Sequence, residues 1–137
     1  MRLHQDVKTR LIKGTSLFRD CTSDEVAEVA AIADEFDFRE GRQLTTENTD
    51  GHEFVVVIDG TAEVFRDGTK VDTIGAGEWF GEVALLNGTR RNATVVAKTA
   101  VHALVIEGHR FLTLLEHSTS IRTKVEGALA EHGPASE

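Results

Sequence analysis

Hydrophobic positions along the chain fall into three blocks of different period. Leu3, Val7 and Leu11 recur at helical spacing, which predicts a short amphipathic helix over residues 3–12, stopped by Gly14. Leu17 and Phe18 form a small apolar turn before Thr22-Ser23-Asp24-Glu25, which has the form of a capping box. In that motif Thr22 accepts from the third helical amide while Glu25 reaches back to the cap. Val26, Val29, Ala30 and Ala33 then line one face of a second helix, ending near Asp34.

From Phe36 the period falls to two. Glu53-Phe54-Val55-Val56-Val57-Ile58 reads as a strand that is β-branched and apolar on both faces. Asp59-Gly60 punctuates it, and residues 61–66 alternate again, with Ala62 and Val64 on one face. Asp67-Gly68 is a hairpin turn, since glycine takes a positive φ without a Cβ penalty. Val71 to Ile74, Thr94 to Ala97 and Ala100 to Ile106 supply further short strands. After Gly108 the helical period returns, first with Phe111, Leu112, Leu114 and Leu115, then with Ile121, Val125, Ala128 and Leu129. Helices, eight or so short strands, then two helices predict an antiparallel sandwich or barrel with helical flanks. Gly133-Pro134 closes the last helix and leaves a frayed tail over 133–137.

Composition narrows the function classes. A chain of 137 residues has room for one core, and 40% hydrophobic with 28% charged residues is an ordinary globular balance. The formal charge of -8, from 15 Lys+Arg against 23 Asp+Glu, argues against bulk attraction to nucleic acid or anionic membranes. Arg90-Arg91 stands out against that background. Cys21 is the single cysteine, so no intrachain disulfide and no cysteine-based zinc site can form, and a buried thiol is expected. No stretch approaches the ~20 apolar residues of a membrane span, and Met1 to Lys8 lacks the apolar run of a signal peptide. These features lead to the expectation of a reducing, cytoplasmic setting.

The chemistry is concentrated in residues 75–95, where a Gly-rich turn, a short apolar run and the arginine pair interrupt the strands. Leu85-Leu86 between polar flanks suits one helical turn over Glu82 to Leu86 better than a plain loop. The start of such a turn exposes the amides of Glu82, Val83 and Ala84 to an anion, and Gly81 allows a close approach to the backbone. Arg91 can return to the same place and pair with a phosphate. Glu82 is out of place beside a phosphate unless it accepts a hydrogen bond from a sugar hydroxyl. Phosphate plus ribose hydroxyl in one compact segment points to a nucleotide.

Phe80-Gly81-Glu82-Val83-Ala84-Leu85-Leu86 followed by Arg91-Asn92-Ala93-Thr94-Val95 closely resembles the phosphate-binding cassette of cyclic-nucleotide-binding domains. Gly41, the strand and turn from Glu53 to Gly60, and Gly75-x-Gly77 fit the same pattern, so the likeness covers roughly residues 15–130. The resemblance implies a mainly β fold, an eight-stranded antiparallel β-roll or jelly roll with N-terminal helices and two C-terminal helices. It divides the chain into an N-terminal helical segment (1–14) and a binding domain (15–132). It implies a ligand, cAMP or cGMP, held by Phe80, Gly81, Glu82, Val83, Ala84, Arg91, Asn92 and Ala93. Glu82 would take the ribose 2′-hydroxyl, while Arg91 and the amides of Val83 and Ala84 take the phosphate. The terminal helix would be a lid, with Val125, Leu129 or His132 over the purine. No cofactor or metal is implied. The expected partners are the nucleotide and a separate protein, without nucleic acid or membrane.

Two positions depart from the family pattern. Asn48-Thr49 stands where relatives have Gly-Asp, a turn that asparagine can keep because it tolerates left-handed geometry. Asn92, able to donate and accept, leaves the choice between cAMP and cGMP open. Other readings of the chain are a scaffold of the same fold without ligand, or a piece of a larger nucleotide-regulated protein. Gly75-x-Gly77 lacks the third glycine and the βαβ setting of a dinucleotide site. Trp79 reads as core or rim packing, Arg90 as a solvated neighbour, and the six histidines as surface or capping groups without the His-x-His of a metal-binding roll. No nucleophile–base arrangement supports an enzyme.

Overall fold

The computed structural model describes residues 5–132, and the side-chain surroundings of 7–128. Helix α1 (Gln5–Lys13) and helix α2 (Ser23–Ile32) precede eight strands: β1 (Ala33–Phe38), β2 (Gln43–Thr45), β3 (Glu53–Asp59), β4 (Ala62–Arg66), β5 (Thr69–Ile74), β6 (Trp79–Phe80), β7 (Thr94–Ala97) and β8 (Val101–Glu107). Helix α3 (Glu82–Asn87) lies between β6 and β7, and α4 (Gly108–His117) and α5 (Thr119–His132) close the order. The strands form two four-stranded antiparallel sheets, β1-β8-β3-β6 and β2-β7-β4-β5. Among the described residues, no helix is long and apolar enough to cross a membrane.

The unbroken apolar run of β3 has a direct physical reason. Its Val55 and Val57 belong to the cluster between the sheets, with Val64, Phe80, Val95 and Ala103. Its Phe54 and Val56 face the other way, into a second cluster built with the helices. There Phe54 stacks on Phe111 of α4 with ring centroids 4.1 Å apart, and Ile12, Phe18, Val26 and Ile121 pack around them. Ile12 of α1 therefore shares this core with the helices that follow.

The capping box forms as the sequence requires: Glu25 N donates to Thr22 Oγ1 at 3.2 Å and Thr22 N donates to Glu25 Oε1 at 2.8 Å. α2 ends two residues earlier than the apolar pattern suggests. Its C-cap Ala33 is already extended, and β1 starts there by pairing Ala33 with Ile106. Ala33 is buried on the continuing helical core, so its apolar character serves the strand as well as it would a helix. Asp67 and Gly68 both have positive φ, 52° and 79°, the backbone of a tight two-residue hairpin.

Candidate functional site

The segment from Gly81 to Ala93 connects the two sheets. It leaves sheet one at β6, whose Phe80 pairs with Val55, forms α3, and enters sheet two at β7. The expected helical turn is present as six residues. Its N-cap, Gly81, has φ 102°, a left-handed conformation that glycine alone adopts easily, and no side chain caps the first amides. A Cβ on Gly81 would stand 2.5 Å from the Glu53 carbonyl oxygen and 2.9 Å from Arg91 Nη1. Only a glycine lets the arginine come so close.

Glu82 and Arg91 are both withdrawn from solvent, at 2% and 6% exposure. The Arg91 guanidinium donates from Nη2 to the carbonyl of Glu53 at 2.8 Å and from Nη1 to the carbonyl of Gly81 at 3.3 Å. It is therefore anchored at the residue that directly precedes Glu82. The Glu82 Oε2 atom is buried and has no hydrogen-bond partner. A buried carboxylate oxygen left in that state is expensive, and native proteins rarely keep one without a reason. Position in the first turn of α3 gives part of the reason, since negative charge is favoured at a helix start.

The other expected residues divide. Val83 and Ala84 are buried at the start of α3, with Phe80 and Ala93 in the wall between the sheets. Asn92 is half-buried, and its carbonyl accepts from Arg66 Nε at 3.0 Å. Val125 has no exposed surface and belongs to the helical core. The i, i+4 spacing with Ile121 that put it on an apolar face is what seats it there. The side chains of Leu129 and His132 lie outside the described residues. Arg90 is exposed and 3.9 Å from Asp50. Trp79 is half-buried against the helical core. His102 meets Asp37 and Glu35 at the start of β8 and His109 meets Glu107 beyond its end, and no metal-ligand group occurs among the described residues.

Sequence reasoning did not anticipate the part played by the loop between β2 and β3. Asn48 N donates to Arg91 O and Arg91 N donates to Thr49 O, both at 2.8 Å. Asn48 takes φ 67°, a left-handed conformation that asparagine tolerates. Its neighbours Asp50 and Gly51, with Ala84, Thr89 and Arg90, line a cavity of about 420 Å³ against the outer side of α3. Glu53 was legible as a strand start, but a backbone carbonyl that receives an arginine leaves no mark in the residue alphabet.

Two antiparallel sheets joined by a short helix, with a buried carboxylate and a buried guanidinium at its mouth, define a β-roll domain. The family model for the cyclic nucleotide-binding domain matches residues 35–118, and the chain belongs to that family. A cGMP-dependent protein kinase of Toxoplasma gondii is 33% identical over 104 residues, 73% of this chain and 10% of the kinase. A cAMP-dependent protein kinase regulatory subunit of Yarrowia lipolytica is 42% identical over 77 residues, 55% of this chain and 20% of the subunit. The regulatory domain of Toxoplasma gondii PKA, solved with cAMP, has the same fold, with a TM-score of 0.85 at 22% identity over 93% of this chain and 50% of that one. The chain thus spans a tenth to a fifth of the length of these two curated relatives.

Proposed function

We propose that this chain is a regulatory module that binds cAMP or cGMP and has no catalysis of its own. The phosphate docks on the amides of Val83 and Ala84 and on the Arg91 guanidinium, and Glu82 accepts the ribose 2′-hydroxyl. The observation that carries this reading is the buried, unpartnered Oε2 of Glu82 beside an arginine anchored on Gly81. A hydroxyl donor from the ligand satisfies that oxygen, and a guanidinium is the side chain whose forked geometry suits a phosphate. Signalling follows from α5 packing against α3: a ligand that binds one arrangement of these helices better than another shifts the balance between them. The output then lies in a separate or attached effector. The buried free thiol of Cys21, pushed up from its ordinary pKa by burial, fits a reducing cytosolic compartment.

Calorimetric titration with each nucleotide tests the reading. Arg91→Ala is expected to weaken binding by ~2–5 kcal/mol, the range for removing one side of a buried charged contact, or tens- to thousands-fold in Kd. Unchanged affinity in that variant overturns the phosphate assignment. Absence of heat with either nucleotide at millimolar concentration in the wild type favours the ligand-free scaffold instead.

A further inference from the structure

The two sheets leave different strands at their edges. β6 is an edge of sheet one and runs on into the segment over 81–93, while β1 and β2 are the edge strands at the opposite ends of the two strand orders. Between β1 and β2 the space between the sheets opens into a cavity of about 310 Å³, and no residue of the segment over 81–93 lines it. Val55 and Val105 reach it from sheet one, and Val105, at 7% exposure, is the least buried of the described cluster between the sheets. Leu44 comes from β2, and β1 supplies Phe36 and Phe38, stacked with ring centroids 6.0 Å apart. Phe36 keeps 48% of its surface exposed there. An aromatic pair beside an opening in the core is apolar surface that gains from being covered.

Four polar residues line the same cavity, and two of them are already engaged. Asp37 lies 2.7 Å from His102 Nδ1, and Gln43 accepts from Thr46 Oγ1 at 3.1 Å. The Arg42 guanidinium and the Glu53 carboxylate make no hydrogen bond or ion pair, with each other or with any other described residue. One cavity therefore offers a forked cation, an anion and an aromatic–aliphatic surface. We propose that it is a second small-molecule site, and that it takes a free apolar α-amino acid as its zwitterion. The ligand carboxylate pairs with the fork of Arg42, the ammonium pairs with Glu53, and the side chain covers Phe36 and Val105. A ligand of one charge leaves the other group without a partner. The volume stands at the lower end of the range for small-molecule pockets, about 300–1,000 Å³, which suits a single amino acid. No side chain is shared with the nucleotide site proposed above, and the contact between the two is the Glu53 carbonyl that receives Arg91 Nη2.

A ¹H–¹⁵N titration of the wild-type chain compares L-phenylalanine with phenethylamine, which lacks the carboxylate, and hydrocinnamate, which lacks the ammonium. The amides of Phe36, Leu44, Val55 and Val105 are expected to move saturably with millimolar L-phenylalanine. Both analogues are expected to bind at least tenfold more weakly, the scale of one hydrogen bond to a charged group. Arg42→Gln is expected to remove the advantage of L-phenylalanine over phenethylamine and to keep its advantage over hydrocinnamate. Glu53→Gln is expected to do the reverse. Equal affinity of the three ligands for the wild type overturns the proposal, as does an undiminished advantage over phenethylamine in Arg42→Gln. Cavity amides that stay fixed with millimolar L-phenylalanine and L-leucine alike overturn it as well. Because the three-ligand comparison uses the wild type, it decides the matter even if Glu53→Gln disturbs the fold. Nucleotide binding is not among the readouts, so a failure here leaves the cassette reading as it stands, and a chain that binds neither nucleotide leaves this site to be decided by its own ligands.

Discussion

At the scale of single residues, Glu82 and Arg91 carry opposite kinds of information. Arg91 is satisfied in part by backbone carbonyls, so its burial is compatible with a purely structural role as well as with a ligand. Glu82 is harder to explain structurally, because Oε2 is buried without a partner. A group retained at the expense of stability marks a functional position. Glu82→Met, close in volume and apolar, is therefore expected to raise the stability of the free protein by ~1–3 kcal/mol in chemical denaturation. It is expected to lose ~1.5–3 kcal/mol of nucleotide binding, the range for a hydrogen bond to a charged group. Loss of stability in the variant would mean that the carboxylate braces the fold. Both residues were legible from their spacing in the sequence. The closeness of Gly51 to Arg91 and Ala84 was not, because it depends on which side chains the fold brings against it, and a glycine in a polar loop looks like any turn glycine.

At the scale of elements, the two periods in the sequence account for most of the architecture. The apolar-on-both-faces run of β3 translates into a strand between two cores, and Asp67-Gly68 into the β4–β5 hairpin. The boundary between α2 and β1 was less legible, since Ala33 satisfies either pattern and only the pairing with Ile106 decides it. The division between α4 and α5 was legible as two successive apolar faces, but the contact that fixes it was not, because the deciding partner comes from α2. Ser118, buried at that break, donates through its hydroxyl to Glu25, and Ile121 N donates to Ser118 Oγ at 3.3 Å. His117 lies 3.0 Å from Glu28 in the same contact. The Ser118 hydroxyl, followed by the Thr22 amide, holds the Glu25 carboxyl below the usual glutamate range. A lowered native-state value means that its stabilising contribution is complete above the ordinary value of about 4.3. That contribution is lost as pH falls through the lowered value. Melting curves between about pH 5 and about pH 3 are expected to show a smaller fall in Tm for Glu25→Gln than for the wild type. Parallel falls would show that this contact does not couple protonation to stability.

On the scale of the whole molecule, the site is a meeting of both sheets and the terminal helices. The segment from Gly81 to Ala93 leaves one sheet and enters the other, the β2–β3 loop bonds to the Arg91 backbone, and α5 packs on α3. Under the proposed function, a ligand seated at the start of α3 lies where both sheets and the terminal helices meet, and its occupancy is passed to an effector through them. The most direct test is a ¹H–¹⁵N titration of the wild-type chain with cAMP and with cGMP, following the amides of Val83 and Ala84. Docking of a cyclic phosphate at the start of α3 predicts that both resonances move saturably with at least one nucleotide and lead the changes in the rest of the spectrum. If they stay fixed at millimolar nucleotide, or if only resonances remote from α3 move, the assignment of this segment as the phosphate site is contradicted.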